Sequence, residues 1–126
     1  MNAPPKVGYN PNSMHEFSIT QSILSVTLEK ANEVQAKKVA KINLIIGELS
    51  GIVSDCVQFY FDFLSKDTIA AEASLCFSQP PTRVQCRNCA TTFSPKNLNW
   101  ACPNCQEQQI EIISGRECYV DSIEVE

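Results

Sequence analysis

A chain of 126 residues has room for one domain with a modest core plus one small metal-held module. A formal net charge of −4 and a pI near 5.0 exclude a general attraction to phosphate backbones, so nucleic acid is not an expected partner. No apolar run approaches the ~18 residues of a membrane span, and the first residues lack the apolar core of a signal peptide.

Taken in order, residues 1–13 hold three prolines, three asparagines and one glycine and read as a disordered leader. Periodicity predicts a first helix from about Ser18 to Ala36. Ile23, Thr27, Ala31 and Val34 lie along one side, Leu24 and Leu28 widen that face, and Glu29, Lys30, Glu33 and Lys37 lie outside it. Val39 to Ile46 then alternates, with Ala40, Ile42, Leu44 and Ile46 on one side, as in a half-buried strand. Gly47 and Gly51 bracket the following turn. A second helix is expected near Asp55, with Asp55 and Gln58 spaced as a capping box. Val57, Tyr60, Phe61 and Leu64 form its stripe, and Phe59 and Phe63 supplement it as further core. Ala73, Leu75 and Phe77 alternate as another strand, and Pro80-Pro81 closes it.

The chemistry concentrates between Cys86 and Cys105. Cys86-Arg87-Asn88-Cys89 and Cys102-Pro103-Asn104-Cys105 present two CxxC pairs, and a two-residue gap lets each backbone turn bring both sulfurs to one ion. Four thiolates satisfy the tetrahedral preference of Zn2+, so Cys86, Cys89, Cys102 and Cys105 are the candidate ligands of a structural zinc. Between Thr82 and Gln109 the apolar residues are mainly Val84, Phe93, Leu98 and Trp100, too few for an independent core, so metal must supply the folding free energy. A redox dithiol and a rubredoxin-like iron site also use paired cysteines. Against the redox reading, one CxxC would suffice and no helical pattern follows either pair. Ala90 and Gln106 stand where metal knuckles often place glycine.

Cys56, Cys76 and Cys118 remain, each inside an apolar pattern, and read as buried reduced thiols of a cytosolic protein. Ile110 to Ile113 leads to a turn at Ser114-Gly115, and Glu117 to Val125 is a last strand expected to return to the first sheet. The architecture expected is α+β, with two helices packed on a small mixed sheet and a zinc ribbon inserted between its strands. Residues 14–81 and 114–126 would form the larger domain and residues 82–113 the ribbon. The single histidine, His15, stands in Met14-His15-Glu16 just ahead of the first helix; with one histidine no nucleophilic catalytic set can be assembled, and the chain is not expected to be an enzyme.

Met14-His15-Glu16, Ile46-Gly47-Glu48-Leu49-Ser50, the two CxxC pairs and the closing Ser122-Ile123-Glu124-Val125-Glu126 together resemble the HypA/HybF family of hydrogenase-maturation nickel chaperones. The resemblance runs from Met14 to the end of the sequence. It implies a transient Ni2+ site in which His15 is the essential ligand and Glu16 helps tune or complete it, beside a structural Zn2+ on the four cysteines. It further implies delivery of nickel to a [NiFe]-hydrogenase large-subunit precursor with a HypB-type GTPase, service to urease in some members, and a monomer or homodimer. Imidazole suits Ni2+, deprotonated backbone amides can complete a square plane, and such a site releases when the ring protonates. In the family the motif opens the protein, whereas thirteen residues precede Met14 here; with them in place the Met14 amine is an amide, and nickel binding is expected to be weaker. The alternative reading is a zinc-ribbon adaptor that carries no exchangeable metal.

Overall fold

Strand alternation and helical periodicity are both realised in the computed structural model, which describes residues 11–96 and 99–126. In chain order the elements are α1 (Pro11–Glu33), β1 (Val39–Ile46), α2 (Ser54–Leu64), β2 (Ser74–Ser78), β3 (Arg83–Cys86), β4 (Thr92–Phe93), β5 (Ile110–Ser114) and β6 (Cys118–Val125). They form two three-stranded sheets, β2-β1-β6 and β4-β3-β5.

β1 is the centre of the first sheet. It pairs parallel with β2, from Lys41 opposite Ser74 to Ile45 opposite Ser78, and antiparallel with β6, from Val39 opposite Val125 to Ile46 opposite Cys118. Parallel neighbours need a crossover, and α2 provides it. Ile42, Leu44 and Ile46 point from β1 into a core that takes in Val57 and Phe61 of α2, Ile23 and Ala31 of α1, and Ala70. Burying each large member contributes about 1.5–3 kcal/mol. The β1–β6 register shifts twice, between Val39 and Lys41 and between Asn43 and Leu44; at the first, Val39 is buried and Ala40 only half-buried.

Several expectations are corrected. The first helix starts at Pro11, not near Ser18, and ends at Glu33, which leaves Val34 beyond it and 64 % exposed. Residues 11–13, assigned to the leader, are its first turn; the rest of that leader, and Leu98 of the ribbon, lie outside the described residues. Proline suits a first helical position because its missing N–H would have no partner there. In α2 the capping box does not form. The N-cap residue is Val53, no side chain of the helix caps it, and Gln58 instead donates to Asp62 Oδ1 at 2.8 Å. Phe59 and Phe63 face outward at 66 % and 64 % exposure, and only Val57 and Phe61 of this helix are fully buried. Of the three remaining cysteines, Cys56 and Cys118 are half-buried and Cys76 is exposed on β2.

The second sheet is short. β3 pairs antiparallel with β4 and β5, and Val84 is its fully buried aliphatic residue, beside Cys86 and Cys102. Both crossings between the sheets meet the turn after β1. Gly47 N donates to Glu117 O at 2.7 Å, Leu49 N to Gly115 O at 2.5 Å, and Thr82 Oγ1 to Glu48 Oε1 at 2.6 Å. A Cβ on Gly47 would stand 2.2 Å from Gly115 O, so the approach admits only glycine.

Candidate metal centres

Two tight turns build the sulfur cluster in the same way. After each pair the chain enters the left-handed region, at Ala90 and Gln106, both with φ 66°. Ala90 N then donates to Cys86 O at 2.9 Å and Gln106 N to Cys102 O at 2.8 Å, while Cys86 N reaches Thr91 O and Cys102 N reaches Glu107 O at 2.8 and 2.9 Å. The positions where glycine was expected therefore take the glycine conformation without the glycine.

The four Sγ atoms lie within 4.8 Å of one another, the one such group of three or more ligating side chains among the described residues. Cys86 and Cys105 are 3.5 Å apart and Cys89 and Cys102 3.6 Å. Bonds of ~2.3 Å to a tetrahedral ion would separate sulfurs by about 3.8 Å, so the residues present fit a zinc-sized ion.

As free thiols Cys86, Cys89 and Cys105 differ. Cys89 is lowered to about 5 by the Thr91 side chain, then by the Asn104 amide and the Thr91 backbone. Cys105 is lowered by the Asn88 amide and the Glu107 backbone. At Cys86 the Cys89 backbone works downward, but burial and the Cys105 and Cys89 sulfurs carry the thiol up to about 11. A cation relieves the repulsion that keeps the last protons on such a cluster.

His15 and Glu16 are neighbours in sequence that face opposite ways. His15 is exposed within α1 rather than ahead of it. Glu16 is fully buried: Oε2 accepts the Val53 N–H at the start of α2, and Oε1 has no partner among the described residues. Burial raises the Glu16 carboxyl above its usual range, against the opposing pull of the Val53 N–H and His15. Phe17 meets Tyr60 edge-on at 5.2 Å, so consecutive residues of α1 pin it to both ends of α2's first turns. Sequence reasoning missed the cap that Glu16 supplies and the symmetry of the knuckles; the repeated Cys-x-Asn-Cys was the visible sign of the second.

Among the described residues no helix is long and apolar enough to cross a membrane. Residues 14–125 match the family model described as hydrogenase/urease nickel incorporation, metallochaperone, hypA. A hydrogenase maturation factor HypA of Dehalococcoides mccartyi is 44 % identical over 113 residues, covering 90 % of this chain and 95 % of that protein. One from Caldanaerobacter subterraneus is 41 % identical over 114 residues, covering 90 % of this chain and 100 % of that one. Among solved structures, the Ni metallochaperone HypA from Helicobacter pylori superimposes with a TM-score of 0.63 at 23 % identity, over 87 % of this chain and 96 % of that one. A second solution structure of a HypA protein gives 0.71 at 25 % identity, over 89 % and 96 %. The chain belongs to the HypA family of hydrogenase and urease nickel-incorporation metallochaperones.

Proposed function

We propose that this protein is a non-enzymatic cytoplasmic nickel carrier that delivers Ni2+ to a [NiFe]-hydrogenase large-subunit precursor, working with a HypB-type GTPase, and that the four cysteines hold a structural zinc. The observation that carries the reading is the placement of His15: the single histidine of the chain, fully within a family-matched segment, stands exposed on α1 while its neighbour Glu16 is buried. An exposed imidazole is accessible both to an arriving ion and to a partner that takes the ion away. Residues 14–81 and 114–126 form the nickel-carrying domain in this reading, and residues 82–113 the ribbon.

His15 supplies the neutral ring nitrogen that Ni2+ favours. Glu16 contributes from behind: by accepting the Val53 N–H it fixes the rotation of α1 and hence the direction His15 faces. The backbone N–H groups of His15 and Glu16 bond back to the first turn of α1, so for either to join the imidazole on nickel that turn, Pro11 to Met14, must unwind. The bound zinc would supply folding free energy to the ribbon, and Cys86, Cys89, Cys102 and Cys105 would hold it permanently while His15 lends its ion.

Equilibrium dialysis against Ni2+ with metal analysis tests this. The protein should bind about one Ni2+ reversibly in addition to one zinc, and His15→Ala should abolish the nickel while leaving zinc and circular dichroism unchanged. Retention of nickel by the variant would remove His15 from the site, and a wild-type protein that only ever holds zinc would leave a ribbon adaptor.

A further inference from the structure

Two asparagines give every sulfur of the cysteine cluster an N–H, in addition to the backbone N–H groups of Cys89, Thr91 and Glu107 that reach Cys86, Cys89 and Cys105. Asn88 donates its backbone N–H to Cys86 Sγ at 3.4 Å and its side-chain Nδ2 to Cys105 Sγ at 3.5 Å. Asn104 does the same in reverse, from its backbone to Cys102 Sγ at 3.3 Å and from Nδ2 to Cys89 Sγ at 3.5 Å. The backbone bond thus stays within a knuckle, and the side-chain bond crosses to the other.

The crossing divides the sulfurs by accessibility. Cys86 and Cys102, served by backbone, are buried; Cys89 and Cys105, served by the amides, are half-buried, and both asparagines are exposed above them. Four thiolates around a divalent ion leave two excess negative charges, and N–H donors aimed at sulfur spread that charge and lower its nucleophilicity. Side-chain amides suit the outward sulfurs because they donate to and cover the same atom. Aspartate has the same shape and no N–H; alanine has neither.

We propose that Asn88 and Asn104 are reciprocal positioning residues that set how firmly the four-cysteine centre retains its divalent ion and how reactive its two outward sulfurs are, each asparagine guarding a cysteine of the opposite knuckle. This rests on the reading of the cluster as a resident divalent-ion site. The two guards are unequal. Cys89 Sγ has a second neighbour in Thr91 Oγ1 at 3.1 Å, whose hydroxyl can donate to a thiolate, whereas the Asn88 amide is, among the described residues, the one side-chain N–H on Cys105.

The test uses full-length protein loaded with zinc, its metal content measured first, then treated with N-ethylmaleimide and with a colorimetric zinc chelator, with peptide mass spectrometry locating the alkylated cysteine. Asn88→Ala should raise alkylation of Cys105 by about tenfold, Asn104→Ala should raise that of Cys89 by less, and both should speed zinc transfer to the chelator, about tenfold for Asn88→Ala. Asn88→Asp should behave as Asn88→Ala. In the Co2+-loaded protein the thiolate-to-cobalt charge-transfer band should shift to lower energy in each variant, which a loss of packing alone would not produce. Alkylation confined to the variant's own knuckle, or rising equally at all four cysteines, overturns the proposal, as do wild-type rates and an unshifted cobalt band. Wild-type protein that retains no ion overturns the reading of the centre itself, and this proposal with it.

Discussion

The two sheets solve the same problem by opposite means. Around β1 a cluster of aliphatic and aromatic side chains from α1, α2 and the strand closes a dry core, whereas the β4-β3-β5 sheet buries Val84 and two cysteines and little else. A core of nine buried residues can offset the conformational entropy of the chain around it; one aliphatic residue cannot, and the cross-links must come through sulfur. Stability in the first part is therefore spread over many side chains, each replaceable at a cost. In the second it is concentrated in four, none of which is replaceable. On the proposed reading a carrier of exchangeable metal would gain from the division, because the part that stays loaded would not share ligands with the part that unloads.

The largest expected effect comes from striking the concentrated side. Cys89→Ser should abolish zinc retention and release the apparent 10–16 kcal/mol that structural zinc supplies in small modules, unfolding the ribbon. Amide exchange should then become fast through residues 83–114 while β1 and α2 stay protected. Loss of protection in β1 as well would show that the two regions fold as one unit.

Striking the distributed side should cost less and act in the opposite place. Phe61 is 1 % exposed at the centre of the core, and Phe61→Ala should lower unfolding free energy by about 3–5 kcal/mol in urea titrations. Zinc content of the purified protein should not change. Phe63→Ala, the same deletion two residues on but at 64 % exposure, should move stability within about 0.5 kcal/mol. That contrast also shows where the sequence was and was not legible. Both β1 and β2 could be read because alternation has only two outcomes for each side chain. In α2 six of eleven residues are large and apolar, Val57, Phe59, Tyr60, Phe61, Phe63 and Leu64, so the stripe wraps too far round the helix for periodicity alone to say which aromatics face in. The start of α1 was hidden for a different reason. Its first turn has no acidic residue, and proline there looks like a breaker until it is seen as the first residue. The four cysteines were legible because their spacing is the geometry.

The burial of Glu16 and its bond to α2 were not legible, since its partner is Val53, distant in the chain, and a buried carboxylate looks the same in sequence as an exposed one. The residue lies between the two extremes in expected effect. Glu16→Ala leaves the Val53 N–H without its acceptor and should cost about 1–3 kcal/mol by thermal or urea unfolding, with zinc retained. If Glu16 orients His15 from behind, nickel affinity should fall by a larger factor in Glu16→Ala than in Glu16→Gln, whose amide oxygen can still accept from Val53. Equal losses would mean that the carboxylate charge, rather than the position of α1, is what nickel feels.

The smallest effect is expected where sequence and structure disagree most quietly. Ala90 and Gln106 hold φ 66°, a conformation that costs an ordinary residue about 1–2 kcal/mol relative to the right-handed region. Glycine avoids most of that cost but adds freedom to the unfolded chain, so the net gain from Ala90→Gly or Gln106→Gly should be about 0.5–1 kcal/mol each. The gain should appear as a slower release of zinc to a chelator and leave the urea midpoint of the β1 core where it was. On the proposed zinc reading the strain would be tolerable because the ion would over-determine the turn: with two sulfurs of a knuckle fixed, the Ala90 and Gln106 N–H groups would be carried onto the Cys86 and Cys102 carbonyls that they meet here, whatever side chain follows. A domain held by distributed packing has no equivalent tolerance, and Gly47, which stands against Gly115 without any metal to enforce the contact, has no room for another residue.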